Sequence, residues 1–150
     1  MDYSIRPAKE DDIPLICDLL SELFSIEADF IADREKQARG LGLLLHDSSG
    51  SSLIVVAERD EKVIGVCSVQ TLISTAEGGP VGLLEDLIVQ KQYRGNGIGS
   101  RLLARICSWC MTKNISRLQL LRDSENKNAR AFYDLNGWSS TSLVCMRKLL

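Results

Sequence analysis

Two adjacent carboxylates, Glu85 and Asp86, interrupt an apolar run, Leu83-Leu84-Glu85-Asp86-Leu87-Ile88-Val89. Directly after it stands Gln90-Lys91-Gln92-Tyr93-Arg94-Gly95-Asn96-Gly97-Ile98-Gly99-Ser100, which leads into Arg101-Leu102-Leu103. The first stretch reads as an apolar strand carrying paired acids, the second as a glycine-rich turn opening an amphipathic helix. Such a turn bares backbone N–H groups at the positive end of the helix dipole, and this one contains no carboxylate of its own. The chemistry it suits is binding of an anion, most often a phosphate. The paired acids beside it can accept a proton or hold a cationic substrate.

Other chemistries are poorly served. A dinucleotide turn needs G-x-G-x-x-G/A near the first strand, but here Gly95, Gly97 and Gly99 alternate, Ser100 takes the last small position, and the turn follows a late strand. The G-K-[ST] of a Walker loop is absent. With His46 as the only histidine, zinc sites and histidine-dependent triads lack their parts, so no metal is expected. Cys17, Cys67, Cys107, Cys110 and Cys145 all sit in apolar contexts and are expected to be small buried hydrophobes in a reducing compartment. Cys107-Ser108-Trp109-Cys110 imitates a redox motif, but it lies inside a helical pattern rather than at a helix start.

The elements that must position the acids and the turn can be read in order. Ser4-Ile5-Arg6-Pro7-Ala8 is a short strand, and Asp11 or Asp12 can cap a helix whose buried side is Ile13, Ile16, Leu20, Leu23 and Phe24. A ragged helix is expected over about 27–45, weakened by Gly40 and Gly42 and suited to wall a substrate site. Strands follow at 52–58 and 63–73, joined by the hairpin Arg59-Asp60-Glu61-Lys62, and then the acid-bearing strand, giving an antiparallel meander. After the turn come a helix over 97–113, a strand at 117–121 parallel to the acid-bearing one, and a short helix over 126–135 stopped by Asn136-Gly137. A last strand pair is expected at 138–141 and 143–148. The order predicts an α/β domain with a mixed, mostly antiparallel sheet and helices on both faces.

The chain has 150 residues, enough for one domain with one core, so a single domain over 1–150 is expected. It is 45% apolar and 25% charged, with a net charge of -2, which disfavours nucleic acid and permits cationic substrates. No apolar run is long enough to span a bilayer and no secretory signal is visible, so no membrane role and a cytoplasmic location are expected.

Three segments in the right order resemble the GNAT superfamily of N-acetyltransferases. Arg94-Gly95-Asn96-Gly97-Ile98-Gly99 meets its R/Q-x-x-G-x-G/A loop, and Ile5-Arg6-Pro7-Ala8 with Asp11 resembles its N-terminal segment. Asn126-Lys127-Asn128-Ala129-Arg130-Ala131-Phe132-Tyr133 leading to Gly137-Trp138 resembles its C-terminal pattern, with Trp138 in place of the usual Phe. The resemblance implies a GNAT fold of about six or seven strands, splayed between two parallel ones, with about four helices. It implies that the backbone from Arg94 through Ser100, Ile98 included, holds the pyrophosphate of acetyl-coenzyme A. Leu87, Ile88 and Val89 would offer backbone groups to the acetyl carbonyl and pantetheine, and Asn126 would position the cofactor arm or cap its helix. Family strands near the C-terminus often pair between subunits, so a homodimer is a further expectation.

The chemistry follows from what acetyl transfer requires. An alkyl amine with a pKa of roughly 10.4 must lose a proton before it attacks a thioester, and the departing thiolate needs an acid. The resemblance implies Tyr133 as that acid and Glu85 as the base, acting through ordered water or with a raised pKa. Glu85-Asp86 is similar to the pair in spermidine/spermine-type and glucosamine-phosphate-type members. The reaction implied is direct transfer from acetyl-coenzyme A to a primary amine of a small cationic molecule, with no covalent enzyme intermediate. Cys67 is the one residue on which a covalent route would rest. The rivals are a protein or peptide acetyltransferase acting on an N-terminus or lysine, and a non-catalytic coenzyme A-binding module.

Overall fold

The computed structural model describes residues 1–26 and 31–150. They form two compact units, Met1–Gln119 and Leu120–Leu150. A single five-stranded sheet runs in the spatial order β1-β2-β3-β4-β5, with β1 at Ser4–Pro7, β2 at Ser52–Arg59, β3 at Lys62–Ser74, β4 at Gly79–Val89 and β5 at Leu118–Leu120. Neighbours from β1 to β4 are antiparallel. The β2–β3 hairpin turns through Asp60 and Glu61, both at positive φ (49° and 60°), the backbone twist that matches a two-residue hairpin loop. Where β5 meets β4, Ser116 N–H donates to Pro80 O and Gly82 N–H donates to Arg117 O, so the two chains run in parallel. Gly82 is required at that crossing: a Cβ there would lie 2.4 Å from Leu118 Cδ2.

The central strands are buried on both faces, because helices cover both. Helices α1 (Ile13–Ile26) and α2 (Arg34–Leu45) pack Ile16, Leu19, Leu20 and Leu41 against Ile54, Val56, Val66 and Ile88. Successive strand residues point to opposite faces. Gly65, next to Val66, accordingly lies under Leu102 of the third helix, α3 (Ile98–Thr112), which covers the other side. Its buried stripe is Ile98, Leu102, Leu103, Ile106 and Cys110; Met111, which helical spacing also places on that side, is instead 70% exposed in the last turn. All five cysteines are free thiols; Cys17, Cys67 and Cys110 are buried as expected, whereas Cys107 is half-buried and Cys145, in the chain beyond the last helix, is exposed, and burial pushes the Cys110 thiol up to about 11. None of the helices among the described residues is long and apolar enough to cross a membrane.

Four expectations are corrected. Asp12 does not cap α1 but sits at 3% exposure in the 3-10 turn Glu10–Asp12, where Arg6 donates to both its oxygens (Nη1 to Oδ2, 2.7 Å; Nη2 to Oδ1, 2.9 Å) and Lys9 N–H donates to Oδ2 at 2.8 Å. The same guanidinium reaches Glu58 of β2, so one arginine ties β1, β2 and the entry to α1. The second helix begins at Arg34, not near Glu27, because Asp33 caps it by accepting from Lys36 N–H at 3.1 Å. Residues 27–30 of the expected helix lie outside the described residues. The last expected strand pair, at 138–141 and 143–148, carries no ladder, which is why the described strands number five rather than six or seven. A strand needs a partner's backbone groups, and here Leu143 and Val144 stay over 80% exposed. The second unit instead contains one helix, α4 (Lys127–Leu135), and residues 138–150 that follow it carry neither helix nor strand.

The Arg6–Asp12 pair carries a stability prediction. The guanidinium of Arg6 holds the Asp12 carboxyl below the usual carboxylate range. Its contribution is therefore complete above the unfolded-state pKa of about 3.9 and is lost as pH falls through the lower folded value. Asp12→Asn is expected to cost about 3 kcal/mol at pH 7, the scale of breaking a buried pair. Urea melts at pH 7 and pH 3 should show that cost shrinking in acid, and an equal cost at both would overturn the assignment.

Candidate active site

The carboxylate pair sits on a break in the β3–β4 ladder. Cys67 pairs with Leu87 and Val69 with Leu84, so Glu85 and Asp86 together oppose the single residue Ser68. This bulge disrupts the alternation that would send neighbouring side chains to opposite faces, and both acids line one cleft. Asp86 is gripped from β3: Ser68 Oγ–H donates to Asp86 Oδ2 at 2.9 Å, and Asp86 N–H donates to Ser68 Oγ at 3.2 Å. Burial raises the Asp86 pKa, the Ser68 hydrogen bond opposes that rise, and the charge of Glu85 adds to it. Glu85 itself is exposed. Cys67, fully buried behind the pair, has its thiol pushed far up by burial and by Asp86, the reverse of an activated nucleophile.

The cleft, about 500 Å³, lies between the β4 bulge and helices α1 and α2. Leu20 and Phe24 of α1 and Leu41 and Leu44 of α2 give it apolar walls, while Gln70, Gln37, Lys36 and Asp33 add polar groups. Lys36 Nζ lies 3.5 Å from Asp33 Oδ2, which tempers the one cationic side chain among the described residues that line the cleft. Gln37 is 8% exposed, and its Nε2 is the buried side-chain polar atom left without a partner among the described residues. Sequence reasoning missed both Gln37 and Ser68. Their signals were present: Gln37 precedes Leu41 by one helical turn, on the buried side, and Ser68 is a polar residue inside the apolar β3 run.

Beyond the bulge, Leu87, Ile88 and Val89 face Cys67, Val66 and Gly65 of β3. Because Gln90 N–H donates to Ile64 O, the antiparallel alternation turns the backbone groups of Leu87 and Val89 to the opposite edge. There Val89 O accepts from Arg94 Nε at 2.7 Å. Arg94 also pairs with Glu22 of α1 through Nη2 at 2.6 Å, so its side chain fastens the turn to that helix. Asn96 Nδ2 donates to Tyr93 O (3.1 Å) and Arg94 O (3.2 Å) and shapes the loop from within. Gly95 and Gly97 take φ of 78° and 74°, the left-handed region that favours glycine.

Gly97 is the N-cap of α3, no side chain caps the helix, and no acid stands in its first turn. The first amide bonded back to the turn is that of Arg101, to Gly97 O at 3.1 Å. The N–H groups of Ile98, Gly99 and Ser100 have no intrahelical acceptor and form an uncapped anion cradle. This donor set fits the pyrophosphate that the sequence led us to expect here.

Asn126 and Tyr133 belong to the second unit. Asn126 is the N-cap of α4, its Oδ1 accepting from Ala129 N–H at 2.9 Å. Tyr133 packs edge-on between Phe132 and Trp138, at ring-centroid distances of 5.2 and 5.7 Å. Gly137, at φ 81°, ends the helix and lets Trp138 N–H return to Tyr133 O at 3.0 Å, which seats the Trp138 ring on Tyr133.

Known proteins resemble this chain in sequence and in fold. Residues 13–138 match the profile of the Acetyltransferase (GNAT) family. The chain is 31% identical over 140 residues to the thialysine N-epsilon-acetyltransferase of Bos taurus, covering 89% of this chain and 82% of that one. It is 31% identical over 105 residues to the aminoglycoside N(6')-acetyltransferase type 1 of Stenotrophomonas maltophilia, covering 67% of each. Among solved structures, an aminoglycoside acetyltransferase from an uncultured soil metagenomic sample superimposes with a TM-score of 0.80 over 99% of this chain and 96% of that one, at 20% identity.

Proposed function

This chain belongs to the acetyltransferase (GNAT) family, and on that premise we propose that it moves the acetyl group of acetyl-coenzyme A directly onto a primary amine of a small cationic molecule. The observation that carries this reading is the cleft of about 500 Å³ floored by Glu85 and Asp86, a volume suited to a small molecule and an acidic floor suited to an ammonium group. The printed names of the relatives, thialysine and aminoglycoside acetyltransferases, support small amines as the acceptor class.

In this reading the N-terminus of α3 and the Gly95–Gly97 turn hold the pyrophosphate, and the open edge of β4 at Leu87 and Val89 offers N–H groups to the acetyl oxygen. The thioester supplies the acetyl group and a sulfur leaving group. The acids of the bulge draw in the cationic amine and remove its proton. Tyr133 protonates the departing sulfur. Asn126 keeps the helix that bears Tyr133 in register by capping it.

The test is thiol release from acetyl-coenzyme A with a panel of thialysine, spermidine and kanamycin set against lysine-containing peptides and free N-terminal peptides. Turnover with the small amines at the lower KM is expected. Turnover confined to peptides would replace this reading with that of a protein acetyltransferase. Thioester hydrolysis with no acceptor would replace it with that of a coenzyme A-binding module.

A further inference from the structure

We propose that Asp86, held by Ser68 across the β4 bulge, is the group that takes the ammonium proton, and that Glu85 beside it binds the cation without taking that proton. The inference rests on the reading of the chain as an amine acetyltransferase and divides the labour within its acid pair. The geometry carries it. Ser68, 1% exposed, accepts from the Asp86 N–H and donates its only proton to Asp86 Oδ2, a closed pair of bonds that fixes the carboxylate. Asp86 lines the cleft, and its Oδ1 accepts a hydrogen bond from none of the described residues.

The surroundings favour the same division. A useful base for an amine works best when its pKa lies near the operating pH, well above the roughly 3.9 of a free aspartate. Burial of Asp86 moves it in that direction. Among the described residues, the charged and titratable groups around it are Glu85 next to it on β4, the buried neutral thiol of Cys67 on β3, and, lining the same cleft, Lys36 of α2 paired with Asp33, the cap of that helix. Among the described residues, helix α1 contributes Leu20 and Phe24 to this cleft. Glu85 is exposed and keeps its water, which suits a group that attracts a cation rather than one that must be dry.

The step balances as follows. One proton of R–NH3⁺ passes to Asp86 Oδ1, and the freed lone pair forms the C–N bond to the acetyl carbon. The C–S bond breaks with its electron pair on sulfur. The second proton lost by nitrogen matches the one the sulfur takes up, and Asp86 returns its own to solvent. Ser68 acts through Asp86 and is a positioning residue.

The experiment combines the pH dependence of kcat, using whichever of thialysine, spermidine and kanamycin is acetylated fastest, with a ¹³C carboxyl titration of Asp86 in the intact chain. Asp86→Asn should lower kcat by about 10²-fold or more and leave KM within a few-fold. Glu85→Gln should show its loss in KM and retain the acid limb of the profile. Ser68→Ala removes a bond to the charged form, so both the acid limb and the Asp86 titration should move to higher pH by matching amounts. The titration doubles as the folding check, since each variant must preserve the dispersed spectrum of the parent. Loss of the acid limb in Glu85→Gln with its retention in Asp86→Asn would overturn the proposal, as would a Ser68→Ala limb that does not move. If the unaltered chain acetylates none of the three amines, the broader amine-acetyltransferase reading fails and this proposal falls with it. Acetylation by the unaltered chain with Asp86→Asn equally active removes this proposal alone.

Discussion

Gly97→Glu is expected to weaken coenzyme A binding by about 10³-fold, the largest binding loss anticipated for a single substitution in this chain. Gly97 is the N-cap of α3, where a glutamate would project its carboxylate toward the N–H groups that are to hold the pyrophosphate. At about 4 Å and an effective dielectric near 20, repulsion between two unit charges is worth about 4 kcal/mol, which corresponds to that factor. A control separates charge from backbone strain. A Cβ at Gly97 meets no atom within 4 Å, so Gly97→Ala adds only the cost of holding a non-glycine residue at φ 74°, about 1–2 kcal/mol. Titration calorimetry should find near-complete loss with glutamate and a modest loss with alanine. Normal binding by the glutamate variant would remove the anion-cradle assignment.

The second large effect is on rate. Tyr133→Phe should reduce kcat by about 10²-fold or more while the affinity for coenzyme A stays within about twofold, the pattern of a lost general acid. The substitution is well suited to the question, because the phenyl ring retains the edge-on packing of Tyr133 between Phe132 and Trp138. Helix α4 also keeps its Asn126 cap and Gly137 stop. Unchanged turnover in this variant would end the acid role.

Much of the architecture was legible in the chain. Strands β2, β3 and β4 and helix α3 lie where periodicity placed them, because each buries a face whose spacing is set locally. The second helix misled because its expected start ran through Asp33, whose cap defines the true one. The C-terminal strand pair misled in another way. Residues 143–148 have strand-like composition, but a strand exists only where another chain segment accepts its hydrogen bonds. Arg94 was legible as part of the turn, whereas its pairing with Glu22 of α1 was not, since the partners are remote in sequence and meet only after α1 packs on the sheet.

The glycine-rich turn into α3 was legible in the sequence alone, for its information is local: Gly95 and Gly97 at positive φ and an uncapped helix start need no distant partner to be recognised. The presence of paired acids upstream of it was equally plain. Which acid is sequestered was decided only by the tertiary structure. Strand alternation sends Glu85 and Asp86 to opposite faces, and it is the one-residue mismatch against Ser68, a property of the β3–β4 pairing, that turns both into one cleft and withdraws Asp86 from water. Register is a relation between two segments, and neither segment carries it by itself.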